Sequence, residues 1–263
     1  MPHRVRTQDD RRQIVEDTDV SDHAPTRLAS GEQAIHPVVG RALEALERSN
    51  IHWCLLRGES DLASPEGDVD LLVARSDMPR LRDALAPLGY VPLRAWGRGS
   101  HRFFVAHDEA SARRVKLDVV TQLAYGRYQE LRTAAAAGCL ARRRHIGGLA
   151  VLSPGDAFWA LLLHCMLDRE TFSVAHRVRL LELAGEADCD IELGNIADVA
   201  FAEGWGAATL LELVRAEDWT ALTTIAKEAR SNRASGRRLE MRLRVVVNRA
   251  LRRASNVLPL GRR

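Results

Sequence analysis

Long apolar runs are missing from this chain. None of its 263 residues lies in a run of about 18 apolar residues, the length that a membrane-spanning helix needs. Its first residues include Arg4, Arg6, Asp9 and Asp10 and no apolar core, which argues against a signal peptide. We therefore expect a soluble, cytoplasmic protein whose contact with a membrane, if any, is peripheral.

Closely spaced cysteines are also missing. The four cysteines lie far apart, each in or beside an apolar run: Cys54, Cys139, Cys165 and Cys189. This distribution fits reduced thiols in a core better than a disulfide framework or a zinc site. The formal net charge is only +3, and the excess lies in Arg-rich patches, so charge alone does not indicate a nucleic-acid partner.

Three segments of the chain differ in composition. Residues 1–33 are too poor in large apolar groups to form a core, which predicts a disordered leader. Residues 34–152 contain two helix patterns and several strand patterns, which predicts a sheet domain. Residues 153–263 have helical periodicity from Ser153 and Pro154 onward, which predicts a helical domain. Its last helix, 237–254, is basic and amphipathic, and either packs on that domain or docks on a partner or an anionic surface.

Two carboxylates occupy alternate positions of one apolar strand pattern. Asp68 and Asp70 flank Val69, and side chains two apart on a strand point the same way, with Cα atoms about 6.5–7 Å apart. Two like charges about 4 Å apart repel by about 4 kcal/mol at an effective dielectric of 20, which bound cations would offset. The alternative is a solvent-facing edge strand, but the apolar residues that follow favour a central strand.

A later strand pattern, 115–120, carries a third acid. Asp118 is preceded by Lys116, which shares its face and is expected either to contact phosphate or to hold Asp118 in place. Three carboxylates on strands predict a site for two Mg²⁺ ions at Asp68, Asp70 and Asp118.

A turn after the first strand is suited to phosphate. Gly58 has no side chain and Ser60 offers a hydroxyl, although Glu59 places an acid between them. Arg57 has a planar guanidinium that suits phosphate oxygens, the alternative being an ion pair with a core carboxylate. We therefore predict that Arg57, Gly58, Ser60 and Lys116 bind nucleotide.

Several other polar residues have open alternatives. His164 and Asp168 are four apart on an apolar helix, and either reach a cleft or serve as satisfied core residues. Arg98, His101 and Arg102 form either an acceptor or phosphate patch or, as the pattern favours, a solvated loop. The run 142–145 is similarly ambiguous.

The order of these motifs resembles the nucleotidyltransferase superfamily that includes polymerase β and the aminoglycoside nucleotidyltransferases. The resemblance covers Leu55 to about Val120: an apolar residue with Gly-x-Ser, a spacer, Asp-apolar-Asp, and a third acid on a later strand. It implies an α+β protein, with a nucleotidyltransferase-fold mixed sheet and flanking helices followed by an all-helical C-terminal domain. It also implies that Asp68, Asp70 and Asp118 are catalytic.

A closer resemblance, extending through 162–168, is to uncharacterised bacterial nucleotidyltransferase-like proteins associated with thymidylate-kinase-like domains. Because the sequence has no P-loop motif, the resemblance implies that any kinase-like partner is a separate chain.

The expected reaction is Mg²⁺-dependent transfer of a nucleoside monophosphate from a nucleoside triphosphate to a hydroxyl of a small molecule, sugar or protein, with release of pyrophosphate. The first alternative is a noncatalytic nucleotide-binding or scaffold partner of a kinase or a polysaccharide-assembly system. The second is polymerase-like action on nucleic acid, which we do not expect from the charge of the chain.

Overall fold

The computed structural model describes residues 35–58, 62–64, 67–93, 100–126, 129–201 and 204–236, the last five of these as backbone alone. Both the leader and the basic helix expected from the sequence lie outside these ranges, as do Glu59, Ser60 and Arg98.

A seven-stranded mixed sheet forms the first half of the described chain. Its strand order is β3-β4-β5-β2-β1-β9-β8. The strands are β1 (Trp53–Leu55), β2 (Asp68–Val73), β3 (Val91–Leu93), β4 (Arg102–Asp108), β5 (Arg113–Val120), β8 (Arg144–Ile146) and β9 (Leu149–Val151). A separate pair is formed by β6 (Ala124–Tyr125) and β7 (Leu131–Arg132). Because β2 lies between β5 and β1, it is a central strand and not the edge strand of the alternative interpretation.

Helices flank the sheet and continue beyond it. They are α1 (Pro37–Arg48), α2 (Met78–Leu85), α3 (Ala136–Arg142), α4 (Pro154–Leu163), α5 (Val174–Ala184), α6 (Glu192–Ala200), α7 (Ala207–Arg215) and α8 (Trp219–Gly236). A π-helix, His164–Arg169, extends α4 directly. The predicted fold class, a mixed sheet with flanking helices followed by helices, is confirmed.

Local sequence signals are confirmed at some element ends and wrong at others. Ser153 caps α4, since its hydroxyl accepts the N–H of Asp156, as the helix-start signal predicts. Ser76 is a residue type typical of an N-cap and predicts the start of a helix over 77–88, but it does not cap α2: its hydroxyl donates to the Asp77 carboxylate, and a 3₁₀ turn precedes the helix. Apolar spacing over 157–167 predicts one α-helix up to Leu167, but the helix becomes a π-helix at His164, a change that the spacing does not reveal.

One connected core runs through the sheet and the helices. Its members come from α1, from all the central strands and from the helices up to α8. The division into two domains between residues 152 and 153 therefore stays a prediction. The Gly147-Gly148 turn joins β8 to β9 as a hairpin, with φ of +56° and +82° at the two glycines. In the part of the chain that the structure describes, no helix is long and apolar enough to cross a membrane.

Candidate active site

Three acidic side chains lie side by side on two neighbouring strands. β2 and β5 run parallel, and their register sets Asp70 beside Asp118 and Asp68 beside Lys116. Neighbouring strands are about 4.8 Å apart, and paired residues point to the same face. Asp68, Asp70 and Asp118 therefore share one face of the sheet centre.

Two of these acids are bonded to long cationic side chains. Arg57 Nε donates to Asp70 Oδ2 at 2.6 Å, and Lys116 Nζ lies 2.7 Å from Asp68 Oδ2. The Lys116 ammonium also lies 4.7 Å from the centroid of the Phe103 ring, a distance typical of a cation–π contact. Lys116 therefore pairs with Asp68 and not with Asp118. Arg57 forms the ion pair given above as the alternative to phosphate contact, and its partner, Asp70, is one of the candidate catalytic acids.

The third acid, Asp118, is buried and paired with a histidine. His101 Nδ1 lies 2.8 Å from both carboxylate oxygens of Asp118. Burial raises the pKa of Asp118, the His101 contact lowers it, and the charges of Asp70 and Asp68 raise it, with a net increase. A carboxylate so crowded by like charges is stabilised by any further cation that approaches.

His101 is the site residue that the sequence pattern placed in a solvated loop. β4 and β5 are antiparallel and pair Phe103 with Asp118, so the chain enters β4 beside the acid. No signal within 98–102 indicates this, because the pairing depends on a strand more than ten residues further along. The neighbouring Arg102 donates to the His101 carbonyl and is exposed.

The turn after β1 begins as the sequence predicts. Gly58 has a φ of +78°, a conformation that glycine adopts without the penalty of a Cβ, and no atom lies within 4 Å of where a Cβ would be. Burial alone would lower the pKa of Arg57, but the charge and hydrogen bond of Asp70 raise it above its ordinary value, with further contributions from Asp168 and Tyr125. Arg57 is thus a permanent cation at this turn.

A family match covers all of these residues. Residues 29–241 match the model of a family described as uncharacterised nucleotidyltransferase. The chain belongs to this family. The superfamily predicted from the motifs is therefore confirmed, while the association with a thymidylate-kinase-like partner stays a prediction. No curated protein matches the sequence.

Among solved structures, this family member is similar to the antibiotic-resistance factor ANT(2'')-Ia, determined in solution. The two are 11% identical, the alignment covers 73% of this chain and 94% of that chain, and the TM-score is 0.38. At that score the likeness carries no argument about activity.

The π-helix brings a second acid–histidine pair toward the turn in this family member. His164 Nδ1 lies 2.8 Å from Asp168 Oδ2, and the N–H of Gly126 donates to Asp168 Oδ1 at 2.7 Å. Both side chains are largely buried, and the charge of Arg57 acts on both. The pair is therefore largely buried. It is bonded to the residue that follows β6 and interacts electrostatically with Arg57.

Burial disfavours the charged form of His164. It lowers the pKa of His164 below its ordinary value, and the charge of Arg57 lowers it further, while the Asp168 contact acts in the opposite direction. The hydroxyl of Tyr125, also close enough to interact with Arg57 and Asp168, is buried and makes no hydrogen bond within the described ranges. π-Helical turns are often found at functional sites.

The basic run 142–145 is not part of this site. Arg142 donates to the fully buried Asp156 through two hydrogen bonds, of 3.0 and 2.9 Å, and also pairs with Glu192. Arg143 donates to a backbone carbonyl of α3, and Arg144 pairs with an exposed acid. Arg142 thus connects α3 to α4 and α6.

The three site acids suit a divalent cation by their chemistry. Carboxylate oxygens are the ligands that Mg²⁺ prefers, and the like charges of Asp68 and Asp70 act on Asp118 in a way that a bound cation would offset. As the side chains stand, no three His, Cys, Asp or Glu residues of the described ranges are grouped as a ready metal site. Each of the three acids is bonded to a basic side chain, so a cation bound there would share the carboxylates with Arg57, Lys116 and His101 or displace them.

Proposed function

We propose that this chain transfers a nucleoside monophosphate from a nucleoside triphosphate to a hydroxyl of a small molecule, sugar or protein, releasing pyrophosphate. The observation that carries the proposal is the parallel register of β2 and β5, which brings Asp70 beside Asp118. Membership of a nucleotidyltransferase family supports the same reaction class.

In this proposal, Asp68, Asp70 and Asp118 hold two Mg²⁺ ions. When bound, such ions neutralise the triphosphate and lower the pKa of the acceptor hydroxyl. Because β2 is central and paired on both sides, the carboxylates are held on a rigid strand, which favours precise positioning. Asp118 accepts the proton of the acceptor hydroxyl, and His101 orients its carboxylate through the 2.8 Å contacts.

The nucleotide is bound by the turn and by the two site cations. Arg57 and Lys116 already neutralise carboxylates, so triphosphate oxygens compete with Asp70 and Asp68 for them. Arg57 offers a planar fork of donors and Lys116 a compact charge, which together suit several phosphate oxygens. Gly58 and Ser60 complete the phosphate-binding turn in this proposal.

Replacing one acid tests the mechanism. We expect Asp70→Asn to abolish Mg²⁺-dependent pyrophosphate release, because it removes a carboxylate charge from the proposed metal site without changing its shape. The assay uses each of the four common nucleoside triphosphates with a panel of hydroxyl acceptors. The control is Asp83→Asn, an exposed acid on α2 that should retain full activity. Unchanged turnover in Asp70→Asn would sink the mechanism.

A second candidate is a noncatalytic nucleotide-binding or scaffold protein that serves a separate kinase-like protein or a polysaccharide-assembly system. One observation favours it: each of the three acids is bonded to a basic side chain of the chain itself. Calorimetry with triphosphates, with and without Mg²⁺, separates the candidates. Metal-dependent binding without turnover on any acceptor would support the scaffold.

A further inference from the structure

A cavity of about 290 Å³ lies between α1 and the β8–β9 hairpin. Its walls are mainly apolar and include Ile35, Leu43, Trp53 and Leu149. None of the three site acids lines it, and Trp53 pairs with Val73, at the end of β2 away from Asp68. The cavity is therefore separate from the proposed nucleotide site. Its volume is near the lower end of the range for small-molecule pockets, about 300–1,000 Å³.

A glycine within a helix keeps part of this space open. Gly40 lies in α1 and lines the cavity, and glycine lowers the stability of a helix interior relative to alanine. The backbone does not require it: its φ is not positive, and a Cβ there would meet only Ile35 Cγ2, at an ordinary 3.8 Å. Packing does not account for Gly40, whereas a close approach of a ligand to the helix backbone does.

A buried donor in the same wall lacks an acceptor. Trp53 is only 1% exposed, and its indole Nε1 makes no hydrogen bond within the ranges that the structure describes. An unpaired buried N–H is unfavourable, and an indole N–H can only donate. Because the nitrogen itself is unexposed, the ring has to tilt slightly for an oxygen in the cavity to reach it.

The mouth of the cavity disfavours anions. Glu44, Glu47 and Arg48 line it from the exposed side of α1, which gives two negative charges against one positive charge. A triphosphate does not fit this balance, so the occupant is not the nucleotide of the proposed reaction.

We propose that this cavity binds a small, uncharged, mainly apolar molecule that carries a hydrogen-bond-accepting oxygen, such as a ketone or an ether. The apolar walls take its body, and the oxygen accepts the Trp53 N–H. At about 30 Å³ for each water-sized volume, the space suits a ligand of about ten non-hydrogen atoms. This proposal is independent of the nucleotidyl-transfer reaction.

The test is an NMR titration of the full-length chain with cyclohexanone, using methylcyclohexane as the matched probe without an oxygen. The chain has five tryptophans, and the indole N–H signal of Trp53 is the one lost in Trp53→Phe. We expect cyclohexanone to shift this signal downfield with saturation, because a hydrogen bond forms. Methylcyclohexane should shift the methyl signals of Leu43 and Leu149 but leave the indole N–H almost unchanged.

Two substitutions at one position supply the matched variants. Gly40→Leu places a side chain in the cavity and should weaken cyclohexanone binding at least tenfold. Gly40→Ala adds one methyl group and should retain binding within about threefold while raising the melting temperature. If Gly40→Leu does not fold, Trp53→Phe is the second test: followed by the leucine methyl signals, it should weaken cyclohexanone binding at least fivefold and leave methylcyclohexane binding unchanged.

Three results would overturn the proposal. One is the absence of any saturable shift in the full-length chain, as expected if residues 1–34 or a second copy of the chain fill the cavity. The second is an equal indole response to the ketone and the hydrocarbon. The third is unchanged binding in a folded Gly40→Leu variant.

Discussion

Asp77, at the start of α2, is a buried acid whose carboxylate accepts hydrogen bonds from His52 and Arg80. It is 2% exposed, and its carboxylate accepts the N–H of His52 at 2.8 Å and the Arg80 guanidinium at 2.5 Å. Burial alone would raise the pKa of Asp77, but these hydrogen bonds, with that of the His52 ring, outweigh it and hold the pKa well below its ordinary value. The carboxylate thereby joins the start of α2 to the chain entering β1.

We expect Asp77→Ala to lower the free energy of unfolding by about 1–3 kcal/mol at pH 7, because it removes the hydrogen bonds that the buried carboxylate accepts from the His52 N–H and from Arg80. The folded pKa lies below the unfolded value of about 3.9, so this stabilisation is complete above that value and is lost as the pH falls through the folded pKa. Urea denaturation between pH 2 and 7 measures it.

The control for this prediction is Asp83→Ala, an exposed acid on the same helix, which should change stability by no more than about 0.5 kcal/mol. A difference between wild type and Asp77→Ala that stays constant down to pH 2 would contradict the explanation.

Two glycines near the site differ in their backbone conformation. Gly58 has a φ of +78°, whereas Gly67 has no positive φ, and a Cβ would have free space at both positions. We therefore expect Gly58→Ala to destabilise the chain by about 1–2 kcal/mol and Gly67→Ala to be close to neutral. Thermal unfolding compares the two. Equal effects would show that the left-handed conformation at Gly58 is not needed.

At the scale of elements, α3 and α4 are joined by an ion pair between a buried acid and a partly exposed guanidinium. Asp156, in the first turn of α4, is fully buried, and Arg142 at the end of α3 donates to both of its oxygens. The Ser153 hydroxyl donates to the same carboxylate at 2.7 Å. The N-terminus of α4 is thus organised around one acid and its guanidinium partner.

We expect Arg142→Ala to lower the free energy of unfolding by about 3–5 kcal/mol, because it leaves the buried Asp156 carboxylate without its cation. Arg144→Ala, two residues away, should cost no more than about 1 kcal/mol, since Arg144 pairs with Glu186 and both are exposed. Chemical denaturation of the two variants under identical conditions makes the comparison. Similar losses for both would contradict a special role for the buried pair.

The π-helix marks the limit of element prediction from the sequence. Apolar spacing predicted a helix through Leu162 and Leu167, and a helix is present there. Its widening at His164 is not encoded in that spacing, because the same residues also suit an α-helix. The tertiary contact of Asp168 with the Gly126 N–H, from a segment more than 40 residues earlier, is a physical reason for the altered path.

At the scale of the whole molecule, the modest charge does not indicate a polynucleotide partner, and we expect a small ligand. The formal charge is +3, and the site acids add negative charge on one face of the sheet centre. We expect a nucleoside triphosphate with Mg²⁺, at about 100 times its dissociation constant, to stabilise the chain by about 2.7 kcal/mol and raise the melting temperature by about 5–10 °C.

Single-stranded RNA at the same nucleotide concentration should leave the melting temperature unchanged. Differential scanning fluorimetry, repeated at 50 and 200 mM salt, measures both effects. RNA binding that weakens about 10³-fold or more across that salt range would instead support polymerase-like action on nucleic acid.

The sequence by itself indicated the nucleotidyltransferase superfamily and the residues that are best worth testing. Asp68 and Asp70 could be assigned to one strand face because side chains alternate with a period of two, a property of the strand alone. Gly58 could be assigned to a turn because a positive φ favours glycine. These inferences need only neighbouring residues, and the family match supports the class that they indicated.

Only the tertiary structure decided which residues meet. Asp118 lies beside Asp70 because two strands separated by 39 residues pair in parallel with one register. A shift by one residue would have turned its side chain to the other face. The same register pairs Lys116 with Asp68. The antiparallel pairing of β4 with β5 places His101, just before β4, in contact with Asp118. Partners are set by hydrogen bonds between distant strands, and no local pattern contains them.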